Sequence, residues 1–149
     1  MRSRVAAGIV AGLMAGVVFG FLMHGISVPS SMGGRMPMIR MMAAVVRSNS
    51  LLAGWAYLLA SSVAMGGIFG FALGNRATSL GKGLAWGVVY GVLVWLVGAL
   101  VVMPVLVGME ALSPISMPAL RPSTWASLGA HVIAGLVLGG SFARLWRRA

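Results

Sequence analysis

The sequence predicts an all-α integral membrane protein: a bundle of four transmembrane helices with a short interfacial helix in the first outer loop. Three observations carry that expectation. The chain of 149 residues is 60% hydrophobic and only 8% charged, with a mean hydropathy of +1.00. Soluble domains average about 25% charged residues, so this composition cannot build a water-exposed surface. Four apolar runs, residues 5–26, 51–73, 84–107 and 125–143, match the ~20 residues that a helix needs to cross a bilayer core. Within them glycine recurs at steps of four, as it does where helix backbones touch in a medium that gives no hydrophobic drive to pack.

The first run follows Met1-Arg2-Ser3-Arg4. It is longer than the ~7–15 residues of a signal-peptide core and reads as an uncleaved first span. The segment 27–50 holds Pro29, Pro37 and three arginines, with residues 36–46 read as the interfacial helix. Residues 75–83 form a tight polar turn before the third run, whose end Pro104 kinks. Pro114, Pro118 and Pro122 make 108–124 irregular. With the N-terminus in the cytoplasm, the inner side carries Arg2, Arg4, Arg76, Lys82, Arg144, Arg147 and Arg148. The outer side carries Arg35, Arg40, Arg47 and Arg121. This excess places both termini inside. Trp55 and Trp125 at outer ends, and Trp86 and Trp146 at inner ends, suit interfacial belts.

The whole chain, 1–149, reads as a single membrane domain with two parallel repeats, 1–74 and 75–149, related by an axis along the membrane normal. Gly16-Val17-Val18-Phe19-Gly20 matches Gly87-Val88-Val89-Tyr90-Gly91, while Gly66 to Gly70 and Gly135 to Gly139 repeat the form. In the outer loops Met36-Pro37-Met38-Ile39-Arg40 matches Met117-Pro118-Ala119-Leu120-Arg121.

Candidate packing residues are therefore Gly8, Gly12, Gly16, Gly20, Gly66, Gly70, Gly87, Gly91, Gly135 and Gly139. Steps of four drift about 40° per step on a helix of 3.6 residues per turn, which suits a crossing partner better than one alongside for the full length. The first stripe extends to His24, and the last run opens its stripe with His131. A polar residue in a membrane helix usually faces the bundle interior. Each histidine has two readings, a hydrogen bond to a neighbouring backbone carbonyl or hydroxyl, and ligation of haem iron, copper or zinc.

Outer-side methionines form a second cluster: Met23, Met32, Met36, Met38, Met41, Met42, Met103, Met109 and Met117. Thioethers are soft ligands that select copper(I), and Met38 has helical spacing to Met41 and Met42. Methionine is equally a flexible filler of apolar gaps. No acidic residue or cysteine within the runs completes a tetrahedral zinc site.

The formal charge of +10 is spread over termini and loops with no nucleic-acid motif. Its expected partners are anionic lipid headgroups, at roughly 1 kcal/mol per basic residue near the surface. Glu110, the sole acidic residue, is expected to form an interfacial ion pair with Arg121 or Arg40. One carboxylate leaves no acidic relay for a proton-coupled pump. Ser61 and Ser62 are expected to hydrogen-bond back to their own helix. No nucleophile elbow, phosphate loop, dinucleotide fingerprint or HExxH occurs, so an enzyme is not expected.

Several short segments carry a family resemblance. They are Phe21-Leu22-Met23-His24-Gly25-Ile26-Ser27-Val28-Pro29, Met103-Pro104, Ser113-Pro114, Met117-Pro118, Gly129-Ala130-His131-Val132 and the basic tail Arg144, Arg147 and Arg148. In this order they resemble the YagU-like group of small bacterial inner-membrane proteins. The resemblance implies a multi-span protein of the bacterial inner membrane. The group it resembles has no established biochemical activity and a suggested role in acid-stress tolerance. That group's Gly-x-His motif carries over to Gly129 and His131. His24 stands where the group can have lysine, and the proline-rich outer loop is shorter here.

Two function classes follow. One is a non-catalytic protein that packs tightly as a homo-oligomer or as an accessory subunit of a membrane complex. The other is a small transporter or channel, or a copper(I)- or haem-binding protein using His131, His24 and the outer methionines Met36, Met38, Met41 and Met42.

Overall fold

The computed structural model describes residues 3–30 and 33–147; Arg2, Met32 and Arg148 lie outside them. Four helical stretches are long and apolar enough to cross a membrane: Arg4–Gly25, Leu51–Leu73, Leu80–Leu106 and Arg121–Trp146. The elements run α1 (Arg4–Gly25), β1 (Ser27–Pro29), β2 (Arg35–Pro37), α2 (Ile39–Val45), α3 (Leu51–Leu73) and α4 (Leu80–Val94). A π-helical stretch, Trp95–Val102, then leads into α5 (Met103–Leu106), followed by α6 (Ser113–Ser116) and α7 (Arg121–Arg147).

Two of the long helices start earlier than hydropathy indicates. The Ser79 hydroxyl accepts from the Lys82 N–H at 3.3 Å, a side-chain N-cap that lets α4 begin inside the polar turn. Helix α7 begins at Arg121 because Pro122 falls in its first turn, where the missing N–H leaves no gap in the ladder. Ser123 and Thr124 are buried, with hydroxyls donating to the Leu120 carbonyl at 2.8 and 2.9 Å.

The loop between α1 and α3 is not helical from Met36. Residue 36 precedes Pro37, which biases it to extended backbone, and it pairs with Val28 in an antiparallel hairpin. Gly33 and Gly34, at φ +90° and +74°, make the turn, and the interfacial helix shortens to α2.

Helix α1 is the hub, and adjacent residues set its two packing faces about 100° apart. Gly8, Gly12 and Gly16 face α3. A Cβ on Gly66 would lie 2.6 Å from the Gly12 Cα, and one on Gly16 would lie 2.6 Å from the Ser62 Cβ. Ala7, Ala11 and Ala15 are buried with Leu138 and Phe142 of α7. This alanine stripe turns α1 towards α7, which packs on α4 through the remaining glycines. The packing order is thus α3–α1–α7–α4.

Both antiparallel crossings use one pattern. Gly66 meets the Gly8 carbonyl and Gly70 that of Arg4; Gly135 meets the Gly87 carbonyl and Gly139 that of Gly83. Such contacts bring Cα–H groups against carbonyl oxygens, a weak attraction that recurs at helix interfaces. Gly8 and Gly12 therefore hold the places that Gly87 and Gly91 hold in the second crossing. The Gly16 to Gly20 turn, whose motif matches Gly87 to Gly91, instead meets Ser62 and the Trp55 ring.

Helices α3 and α4 share no comparable crossing. The Tyr90 hydroxyl spans the gap, donating to the Met65 carbonyl at 2.8 Å. Phe69 stacks edge-on with Tyr90 and Phe142, at centroid distances of 5.3 and 5.4 Å.

Candidate functional site: a methionine-lined cleft

The missing crossing between α3 and α4 leaves a cleft of about 280 Å³ on the side of the bundle away from the chain termini. Met23, Met38, Met41, Met42, Met65, Met103 and Met109 line it, with His131. A smaller chamber of about 130 Å³ continues along Gly12, Gly16 and Gly91. Met42, Tyr57, Ser61, Met65, Val94 and His131 border both chambers and form the neck between them. Below the neck, the Phe69–Tyr90–Phe142 stack fills the bundle.

Pro104 sets one wall. It offers no N–H to the Leu100 carbonyl, which accepts from Leu112 of the following loop at 2.7 Å. Upstream, the Met103 N–H bonds five residues back to Gly98. This wide register, often found at functional sites, carries Val97, Gly98, Ala99 and Val102 along the cleft.

His131 is held through α7. Its Nδ1 lies 2.7 Å from the Ser127 carbonyl oxygen. A carbonyl only accepts, so Nδ1 carries a proton, and in the neutral ring Nε2 carries the lone pair. No described residue hydrogen-bonds Nε2. The ring stands edge-on to Phe19 at 4.5 Å. Ser127 is itself fixed: it accepts from Trp95 Nε1 at 3.0 Å and donates to the Thr124 carbonyl at 2.7 Å. The single Thr124 hydroxyl proton lies between the Leu120 carbonyl and the Pro114 carbonyl, the latter at 2.8 Å, which ties the loop before α7 to this helix.

The sequence-derived site residues separate. Met38, Met41, Met42 and His131 meet at the cleft, whereas His24 is exposed on α1 and Met36 sits in β2; neither borders a chamber. The histidines therefore do not share a pocket, because His24 follows the glycine face by one drifting step and leaves the interface. Glu110 makes no ion pair among the described residues. Arg121 instead donates from Nε to the Ile115 carbonyl at 2.8 Å and from Nη2 to that of Ser116 at 3.5 Å. Those carbonyls end α6 without helical partners. Ser61 and Ser62 make no side-chain hydrogen bond among the described residues; both line the inner chamber rather than bonding back to α3.

Three participants escaped the sequence reading. Met65 and Trp95 sit in long apolar runs where neither spacing nor neighbours single them out, and Ser127 belongs to no motif. A hydroxyl four residues before His131 was the one available signal. No protein-family model matches the chain, and neither a curated protein nor a solved structure was found to match it.

Proposed function

We propose that this chain is a non-catalytic, four-span protein of the bacterial inner membrane, with both termini in the cytoplasm, that binds a small solute from the outer side. The observation that carries this is the cleft of about 280 Å³ bordered by methionines and His131. Its size sits at the lower edge of ligand pockets, typically about 300–1,000 Å³. Aromatic stacking below the neck supports a binding pocket over an open channel. The glycine faces are occupied within the chain, which supports a rigid scaffold for this cleft and leaves them unavailable for homo-oligomer contacts. The two glycine crossings support repeated hairpins, and Gly129 and His131 on α7 support kinship with the YagU-like group.

The chain has no cysteine, so single cysteines are clean probes. Ser61 borders both chambers, whereas Ile68 is 49% exposed on the outer surface of α3. In proteoliposomes, a small charged thiol reagent added outside should label S61C and spare I68C. A Cβ on Gly98 meets only Val94 Cγ1, at 3.8 Å, so G98L can fill the cleft and should suppress S61C labelling. An S61C variant as inert as I68C would refute a solute-accessible cleft.

A further inference from the structure

We infer that the neck of the cleft is a site for a soft monovalent cation, copper(I), held by His131 Nε2 with the thioethers of Met42 and Met65. The inference rests on the cleft reading and names its occupant.

The first support is the orientation of His131. Its Nδ1–H is committed to the Ser127 carbonyl, so in the neutral imidazole Nε2 is the nitrogen that carries the lone pair. Donation of the other ring N–H to a backbone carbonyl is the usual way a protein orients a metal-binding imidazole. The Trp95–Ser127–Thr124 hydrogen bonds fix the Ser127 side chain on the same residue.

The second support is the company that His131 keeps. Met42 and Met65 border the same two chambers. Met65 is fixed by the Tyr90 hydroxyl, which lies 2.8 Å from its carbonyl oxygen and 3.5 Å from its sulfur. The methionines on the outer chamber offer a relay of further thioethers from the outer face to the neck.

The third support is ligand chemistry. Neither chamber is bordered by a carboxylate or a thiolate. Hard divalent ions favour oxygen ligands, while thioethers favour copper(I). A net charge of +10 also makes a singly charged guest less costly than a divalent one. Binding exchanges the ion's previous ligands for one imidazole and two thioethers, with no electron or proton transferred.

Silver(I), monovalent and redox-inert, tests this on the full wild-type chain in mild detergent, read by native mass spectrometry. One ion per chain is expected. H131A should lose it, and M42L and M65L should each weaken it by at least the roughly tenfold that indirect changes cost at metal sites. H24A and M36L, altered outside the cleft, should keep it. X-ray absorption of the copper(I) form should show nitrogen and sulfur scatterers together. Wild-type protein without bound silver overturns the inference, as does retention in M42L and M65L at wild-type strength. Equal loss in H24A and M36L would overturn it too. Because S61C labelling is read without metal, a labelled cleft that takes no silver refutes the occupant and keeps the cleft.

Discussion

Replacing Gly66 by alanine tests whether backbone contact at the glycine crossings holds the hairpins together. The added Cβ would overlap the Gly8 carbonyl and lie 2.6 Å from the Gly12 Cα and 2.9 Å from the Gly12 nitrogen. Ordinary contact begins near 3.4 Å, so relieving the Gly12 Cα alone parts α1 and α3 by about 0.8 Å, and the closer Gly8 carbonyl demands more. All the obstructing atoms are backbone, and no side-chain rotation relieves them. A gap of about 0.5–1 Å forfeits a quarter to a half of the dispersion well for each contact that opens, and overpacking costs roughly 1–3 kcal/mol. Alanine in a helix interior returns up to ~1 kcal/mol over glycine. The net expectation is destabilisation by about 1–2 kcal/mol. Reversible unfolding in mixed micelles, followed by circular dichroism, measures it. G129A is the matched control, since a Cβ there meets nothing within 4 Å; propensity alone should leave it neutral or slightly stabilised. If G66A and G129A shift stability in the same direction, close backbone contact is not what holds the crossing.

Two further substitutions probe the walls of the cleft. Y90F removes the hydroxyl joining α4 to the Met65 carbonyl; it should cost about the 0.6 kcal/mol typical of hydrogen bonds between membrane helices. It should also speed S61C labelling as α3 and α4 separate, and an unchanged labelling rate would count against Tyr90 as the bridge. E110Q should leave the unfolding midpoint unchanged, because Glu110 is exposed and Arg121 is bonded to α6 carbonyls. A loss comparable to that of G66A would reinstate an ion pair.

Much of the architecture was legible from residue chemistry. Runs of ~20 apolar residues can satisfy their backbone only as helices once water is excluded. Helix ends were less legible, because hydropathy is blind to a capping serine such as Ser79 and to a proline tolerated in the first turn, as Pro122 is. The interfacial segment was misread at Met36, where Pro37 and the Gly33-Gly34 turn favour a hairpin. For the site, methionine content and His131 stood out by residue type. Pairing His24 with His131 failed because sequence symmetry along two stripes says nothing about which face each helix turns to its neighbour.

The sequence by itself determined the four long apolar helices, the small-residue stripes and a set of connecting segments rich in thioethers with a single carboxylate, Glu110. These follow from composition and from the helical period, which are local properties. Tertiary structure alone decided which stripe meets which. The glycines of α1 go to α3, its Ala7, Ala11 and Ala15 go to α7, and no stripe remains to close α3 on α4. The cleft lies where α3 and α4 make no close crossing, with small residues such as Gly98 and Ala99 left along its wall. His131 enters it because Ser127 holds one nitrogen and leaves the other free.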